Sequence, residues 1–326
     1  MTKGTVRVLV AAVALTLIAS ATFVGCKGKE APAGGEADLV FALVPKALDN
    51  PVFNVARRGA MDKAAELGGI RVEWVGPEVA DAAKQAMVIE SLIARGVDGM
   101  AISCNDPDVL IGPINKAVEA GIPTITFDSD SPDSKRVTFY GTDNYPCGTA
   151  CGELIVEATG GVGEIAVLTG VLGASNLETR IDGVRDVIAK HPDMKIISVQ
   201  PCDDDIQKGV AVIQSFMQAH PNLGGWVMVG GWPLFAQAPT GLPGVDPAKC
   251  KVISVDALES QLEYLEQGLV YALVGQNLYE WGAGSVEILK GIIDGEEYPP
   301  SMDSGVYVVR EEDVDERMAE WEKFKD

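Results

Sequence analysis

After residue 38, short runs of apolar and often β-branched residues alternate with longer segments whose apolar positions recur at helical spacing. The apolar runs predict strands at Leu39–Val44, Ile70–Val75, Gly99–Ser103, Thr124–Phe127, Glu164–Leu168, Lys195–Val199, Gly225–Val229, Val252–Val255 and Ala272–Val274. The helical spacing predicts helices near Val52–Leu67, Ala82–Arg95, Val109–Ala120, Tyr145–Thr159, Leu177–Lys190, Ile206–Ala219, Leu258–Gln267 and Glu311–Phe324. Continuously apolar strands separated by helices are typical of parallel sheets covered on both faces. The pattern therefore predicts an α/β fold.

The alternating units fall into two groups. About four strand–helix units precede residue 130, and a comparable series follows Tyr145. This arrangement predicts two doubly wound parallel-sheet lobes. In such sheets ligands bind at the carboxyl ends of the strands, so the loops there are where function is expected.

The N-terminal region differs from the rest of the chain. Lys3 and Arg7 precede an almost wholly apolar run that ends at Gly25-Cys26. We interpret residues 1–25 as a lipoprotein signal peptide, because the Gly-Cys junction resembles a bacterial lipobox, with Cys26 as the lipidated residue. Cleavage after Ala21 by ordinary signal peptidase is the alternative. Residues 26–37 have linker composition, so we expect export to the periplasm or the cell-envelope exterior, with membrane contact only through a lipid anchor.

Composition narrows the choice of ligand. The 326 residues include 47 acidic against 26 basic side chains, a formal net charge of −21. Such a surface repels phosphate backbones, so nucleic-acid binding is not expected. Neither zinc-ligand spacing nor a G-x-G-x-x-G turn occurs, and we expect no metal and no cofactor. We interpret the cysteines after Cys26 as buried small hydrophobic residues: Cys104, Cys147, Cys151, Cys202 and Cys250.

Polar side chains follow nearly every predicted strand. Asp128 and Asp256 come directly after apolar strands, where a carboxylate is costly unless it has a partner, and we favour a ligand-binding role for both. Carboxylates and amides pair with vicinal hydroxyls, and flat rings cover the C–H faces of a sugar. The combination suits a polyol. The remaining candidates in these loops include Asn105, Tyr145 and Trp232.

Several of these side chains also have an ordinary structural interpretation. An Asp after a strand is often only a helix cap, which applies to Asp106, Asp143 and Asp203. Arg180 could pair on a helix surface with Glu178 or Asp182. Phe53 and Trp232, taken singly, could be core residues.

Three stretches carry a resemblance to a known family: Ile122–Ser134, which contains I-P-T-I-T-F-D, then Gly141–Tyr145 with G-T-D-N-Y, and Val274–Gln276. From about residue 38 to 310 the chain resembles the type 1 periplasmic sugar-binding proteins of ABC transporters, with glucose/xylose-binding proteins as the most similar branch. The resemblance implies two α/β lobes joined by a three-segment hinge. The N-terminal lobe would comprise 38–142 plus 277–303, and the C-terminal lobe 143–276 plus 304–326.

The resemblance also implies a ligand set. Its contacts fall on Asn50, Phe53, Ser103, Asp128, Ser129, Asp130, Arg180, Asp204, Asp256 and Gln276. We add Trp232, which stands where many relatives have Asn or Asp, and regard Lys46, Asn105 and Tyr145 as further candidates. The implied function is capture of a monosaccharide, a glucose- or xylose-like aldose, by a monomer that delivers it to an ABC permease and its ATPase.

Two other functions compete with this one. An enzyme could use Asp128 and Asp130 as acid and base, but two residues this close on a loop need not converge, and G-x-S-x-G and H-E-x-x-H are both absent. We therefore expect no catalytic residues. A sugar-sensing input protein for a chemoreceptor or sensor kinase would use the same lobes and remains the alternative.

Overall fold

The computed structural model describes residues 39–321, which form two six-stranded sheets. The first sheet has the order β11-β5-β4-β3-β1-β2 and contains β1 (Leu39–Val44), β2 (Ile70–Trp74), β3 (Gly99–Ile102), β4 (Thr124–Phe127), β5 (Phe139–Gly141) and β11 (Ser301–Asp303). The second has the order β12-β10-β9-β8-β6-β7 and contains β6 (Gly163–Thr169), β7 (Met194–Pro201), β8 (Gly225–Met228), β9 (Lys251–Val255), β10 (Ala272–Gln276) and β12 (Val306–Val309). Among the strand pairs formed by residues 39–321, only β10–β12 is antiparallel.

Helices cover the faces of both sheets. They are α1 (Val52–Leu67), α2 (Ala82–Arg95), α3 (Ile111–Glu119), α4 (Asn144–Thr159), α5 (Ser175–Ile188), α6 (Ile206–Ala219), α7 (Glu259–Glu266), α8 (Leu278–Asp294) and α9 (Val314–Trp321). Short 3-10 turns occupy Trp232–Phe235 and Glu311–Asp313. Strands β3, β4 and β8 are buried along their whole length, which explains why none of them carries a charged residue; Thr124 and Thr126 are the polar residues of β4. The predicted α/β class with two parallel-sheet lobes is confirmed.

The chain passes between the sheets three times. The first crossing lies between β5 and α4, the second between β10 and α8, and the third between β11 and β12. We call the elements packed on the first sheet lobe one and those packed on the second sheet lobe two. Helix α8 follows a lobe-two strand but packs on α1 of lobe one.

Four elements are absent from the sequence prediction: β5, β11, β12 and α8. Helix α8 contains glycines that argue against a helix in sequence alone. The structure explains them, because a Cβ at Gly282 would lie 1.7 Å from the carbonyl oxygen of Ala56, and one at Gly59 would lie 2.1 Å from that of Tyr279. Glycine thus permits α1 and α8 to pack backbone to backbone. Of the predicted C-terminal helix, α9 forms its middle, and residues 322–324 lie outside the described residues.

Within residues 39–321, no helix combines the length and apolar character needed to cross a membrane. The predicted signal peptide, linker and Cys26 lie outside the described residues. The five remaining cysteines are all buried and free of disulfides, in agreement with their interpretation as small hydrophobic residues.

Candidate functional site

The carboxyl ends of both sheets face a cavity between the lobes. Its free volume is about 40 Å³, well below the ~300–1,000 Å³ typical of small-molecule sites, so the side chains of the two lobes come close together across it. We call it the interlobe cavity; its lining residues are Lys46, Asn50, Val52, Phe53, Asp128, Asn176, Leu177, Arg180, Asp204, Gly230, Trp232, Phe235, Asp256, Gln276 and Trp281.

Three carboxylates of the interlobe cavity stand on unusual backbone. Asp128, Asp204 and Asp256 follow β4, β7 and β9, and their φ angles are +57°, +59° and +73°. Asp is among the few non-glycine residues that enter this left-handed region, and it still costs free energy there. Such residues concentrate at binding sites, where the surrounding structure holds them. The sharp turn at each strand end therefore supports a ligand-directed role for these three side chains.

Arg180, on α5, organises the lobe-two side of the cavity. It is 2% exposed, and its guanidinium donates to Asn144 Oδ1 (2.8 Å), to the Val229 carbonyl oxygen (2.9 Å) and to Gln276 Oε1 (2.6 Å). The alternative of a surface ion pair is therefore wrong, because the side chain turns inward. A planar fork suits this role, since it can bind several fixed acceptors while still facing a ligand.

Gln276 connects Arg180 to Asp256. Its Nε2 donates to Asp256 Oδ1 at 2.6 Å while its Oε1 accepts from the guanidinium. Burial raises the pKa of the Asp256 carboxyl, and the nearby charge of Arg180 and the hydrogen bond from Gln276 oppose this rise. The result is a buried, partly compensated carboxylate held in a fixed orientation.

Lobe one contributes a second set of polar side chains to the cavity, from Asp128, Asn50 and Lys46. Ser103 Oγ donates to Asp128 Oδ2 at 2.5 Å, which leaves the other carboxylate oxygen of Asp128 outside this bond. Asn50 accepts from the Val52 N–H at 3.2 Å, so the start of α1 fixes its side chain. Lys46 Nζ reaches across the cleft to Asn176 Oδ1 of lobe two, at 3.0 Å.

Asp204 faces the cavity from the loop after β7. Its Oδ1 accepts from the Val171 N–H at 3.2 Å. Burial raises the pKa of this carboxyl as well, and the positive charge of Lys46 opposes the rise. Together the cavity holds three carboxylates and two cationic side chains.

Four aromatic side chains line the cavity, two from each lobe: Phe53, Trp281, Trp232 and Phe235. Glycines make room for the Trp232 indole, because a Cβ at Gly230 would lie 2.4 Å from the ring and one at Gly170 would lie 2.6 Å from it. Phe53 and Trp232 are 2% and 5% exposed. They belong to the core and line the cavity at once, so the two interpretations of these rings do not exclude each other.

Five candidates from the sequence do not line the cavity. Ser103 lies behind Asp128, and Ser129 Oγ donates to Asn176 Oδ1 at 3.3 Å. Asn105 Nδ2 donates to the Lys46 carbonyl oxygen at 2.8 Å and so supports the first loop from inside. Asp130 forms an ion pair with Arg136, and Tyr145 donates to Asp186 on the protein surface.

For Asp130 and Tyr145 the structure corrects the expectation of a place in the cavity. A guanidinium partner holds the carboxylate of Asp130 outside the cavity, and α4 directs the 43%-exposed ring of Tyr145 to solvent. The capping interpretation fits Asp106, whose carboxylate accepts from the Asp108 and Val109 N–H groups. Asp143 stands at the N-cap of α4 but makes no side-chain cap.

Asn176, Phe235 and Trp281 are the polar and aromatic lining residues that sequence reasoning did not assign. Asn176 lies in the first turn of α5, beyond the loop that follows β6, so no apolar strand directly before it marks it in the way that β4 marks Asp128. Phe235 and Trp281 lie on the 3-10 turn and on α8, which sequence reasoning did not predict. Among residues 39–321, no cluster of three or more His, Cys, Asp or Glu side chains could hold a metal ion.

Comparison with known proteins places this geometry in a family. The model of the periplasmic binding protein domain matches residues 41–297, so the chain belongs to that family. Membership implies a periplasmic location. The matched relatives and structures are sugar-binding transport proteins rather than enzymes, so the resemblance stated from the sequence is confirmed at this level.

Among the relatives, the ribose import binding protein RbsB of Salmonella typhimurium is 28% identical over 78% of this chain and 85% of its own length. A solute-binding protein of an ABC transporter from Burkholderia graminis, solved with D-arabinose, is 35% identical, with a TM-score of 0.80 over 86% of this chain and 98% of that one. GanP, a glucose-galactose binding protein from Geobacillus stearothermophilus, is 26% identical, with a TM-score of 0.79 over 85% and 99%.

Proposed function

We propose that this protein captures a neutral monosaccharide, a glucose- or xylose-like aldose, in the interlobe cavity and delivers it to the permease of an ABC importer. The observation that carries the proposal is the convergence of carboxylates, amides and a guanidinium from both lobes on one small cavity with aromatic side chains. Vicinal hydroxyls both donate and accept, as these groups require. The lipid anchor at Cys26 is part of the proposal and rests on the sequence resemblance.

We propose Asn50, Phe53 and Asp128 as the contacts from lobe one. From lobe two we propose Arg180, Asp204, Trp232, Asp256 and Gln276. Each hydrogen bond to a neutral hydroxyl contributes only ~1 kcal/mol, and somewhat more where one partner is charged. Several together can reach roughly micromolar affinity after the cost of association.

The charge of the cavity supports a neutral ligand. Three carboxylates against two cations disfavour a further negative charge, because a buried anion without a matched partner is strongly destabilising. A sugar acid or sugar phosphate should therefore bind far more weakly than the parent aldose.

Sugar binding would also hold the lobes together. A ligand that contacts both lobes stabilises the closed arrangement over any arrangement in which the lobes are apart. Hydrogen bonds between the two lobes, such as the one from Lys46 Nζ to Asn176 Oδ1, would stabilise the closed arrangement in addition to the contacts that the sugar makes.

A melting-temperature screen tests the proposal. The panel contains D-glucose, D-xylose, D-ribose and D-arabinose, with D-glucuronate as the charged analogue of D-glucose. A ligand at about 100 times its Kd stabilises the folded state by ~2.7 kcal/mol, which a thermal shift detects. We expect at least one neutral aldose to raise the melting temperature and D-glucuronate to have no effect.

The screen can also contradict the proposal. An unchanged melting temperature with every neutral sugar would refute it, and so would a larger shift with the sugar acid. A sugar-sensing role would use the same cavity with a receptor as partner. Sugar uptake by vesicles that contain the cognate permease, dependent on this protein, would favour transport.

A further inference from the structure

Ser304 lies where the three interlobe crossings meet. Its N–H donates to the Gly141 carbonyl oxygen of the first crossing at 2.7 Å. Its own carbonyl oxygen accepts from Asn277 Nδ2 of the second crossing, and its hydroxyl accepts from Trp281 Nε1 at 3.2 Å. One residue of the third crossing is thus hydrogen-bonded to both of the others.

Trp281 links this junction to the interlobe cavity. The side chain is 1% exposed and lines the cavity, and its backbone N–H donates to the Asn277 carbonyl oxygen in the first turn of α8. The indole is therefore hydrogen-bonded to the third crossing through its Nε1, and the same side chain lines the interlobe cavity.

A hydrogen bond of this kind determines the tilt of a ring. The χ2 torsion of tryptophan is broad and roughly two-fold, so the torsional preference of the side chain does not by itself fix the plane of the ring. A single donor on the indole, directed at one fixed acceptor, selects one orientation. Since Ser304 is held at its N–H and its carbonyl as well, the acceptor itself is fixed.

We propose that Ser304 is a positioning residue for sugar recognition, which fixes the Trp281 ring against the ligand through the Nε1–H to Oγ hydrogen bond. The inference rests on the proposed function, because it concerns a contact to the sugar. It adds to that function a residue outside the cavity, on the third crossing, whose hydroxyl determines the shape of the aromatic surface.

Titration calorimetry on the full chain tests this proposal, with the panel sugar that stabilises the wild type most. Removing the bond from either side, by Ser304→Ala or Trp281→Phe, should weaken sugar binding by about 3- to 10-fold, the equivalent of one hydrogen bond. The double variant should bind about as weakly as the weaker single variant, because both changes remove the same bond. Ser304→Thr keeps the hydroxyl and should restore binding to within about 2-fold.

Trp226→Phe is the matched control. Trp226 is also fully buried, but its Nε1 donates to Met217 Sδ in the core of lobe two. It should leave sugar affinity within about 2-fold of the wild type even if it lowers the melting temperature. A general effect of removing a buried indole would instead weaken sugar binding in the control and in Trp281→Phe alike, and would contradict the proposal.

Three further results overturn the inference. Sugar affinity in Ser304→Ala within 2-fold of wild type would show that the hydroxyl has no positioning role. Additive losses in the double variant would show that the ring and the hydroxyl act separately. Should Ser304→Ala not fold, unchanged affinity in Trp281→Phe overturns the inference instead. A wild type that binds none of the sugars refutes the proposed function itself, a result distinct from the other three.

Discussion

Replacing Asp256 with Asn should stabilise the sugar-free protein and weaken sugar binding at the same time. Asp256 is 4% exposed, and its folded-state pKa is raised by burial. A carboxyl with a raised folded-state pKa adds stability below its unfolded value of ~3.9, and this stability is lost as the pH rises through the folded-state value. At neutral pH the ionised group therefore costs stability, and Asn removes that cost.

The expected magnitude follows from the same contacts. Asn removes the desolvation cost of the buried charge, so the melting temperature without sugar should rise; a gain of ~1 kcal/mol, the size of a typical single-substitution effect, would raise it by roughly 2–4 °C. Asn tolerates the left-handed backbone at φ +73° and retains an oxygen for Gln276 Nε2. A hydrogen bond from a sugar hydroxyl changes from charged to neutral, which costs ~1–1.5 kcal/mol and weakens binding by about 10-fold.

Thermal melts without sugar and calorimetric titration with the preferred aldose measure the two effects. Asp203→Asn is the control, since Asp203 also has positive φ (+53°) but pairs with Lys208 on the exposed surface. It should change neither quantity appreciably. A sugar-free Asp256→Asn protein less stable than wild type would refute the argument from burial, and unchanged affinity would refute the contact with sugar.

Further predictions concern the rest of the cavity. Arg180→Lys keeps the charge but cannot span Asn144, Val229 and Gln276, so sugar affinity should fall by about 100-fold in calorimetry, with a lower melting temperature. Gly230→Ala should displace the Trp232 indole and weaken sugar binding about 10-fold. Gly112→Ala is the control, because a Cβ there meets nothing within 4 Å and should leave sugar affinity unchanged. Equal sugar affinities of the two variants would contradict the role of the indole. Because burial raises the pKa values of Asp204 and Asp256, sugar binding should weaken as the pH falls, and at a higher pH than for carboxyls with the ordinary value of ~3.9. The effect should be less steep in Asp256→Asn than in wild type, and pH-independent affinity would contradict this.

The strand-end residues were predictable because two physical requirements coincide in sequence. The buried positions of β4 and β9 include Thr and Ser but no ionisable residue, so a carboxylate immediately after each strand stands out, as at Asp128 and Asp256. Asn176 carries no such signal, because it lies in the first turn of α5 rather than directly after β6, although Lys46 and Ser129 of lobe one both donate to it across the cleft. The family motifs added Gln276, whose link between Arg180 and Asp256 no local pattern indicates.

The other part of the site depends on tertiary packing. The glycines that allow α8 to pack on α1 also make its sequence unlike that of a helix. Because α8 was not predicted, Trp281 could not be placed in the cavity. Asp130 failed as a cavity residue because Arg136, six residues later, returns to pair with it. Tyr145 failed because its position on α4 faces Asp186 rather than the cleft. Neither Arg136 nor Asp186 can be recognised as the partner from residue spacing or composition.

A crystal structure grown with the aldose that stabilises the protein most is the measurement that bears most directly on the proposed binding site. The account predicts one sugar ring in the interlobe cavity, with hydroxyls bonded to Asp128 of lobe one and to Arg180 and Asp256 of lobe two. A stabilising sugar bound elsewhere on the surface, with only water between these three side chains, would contradict it.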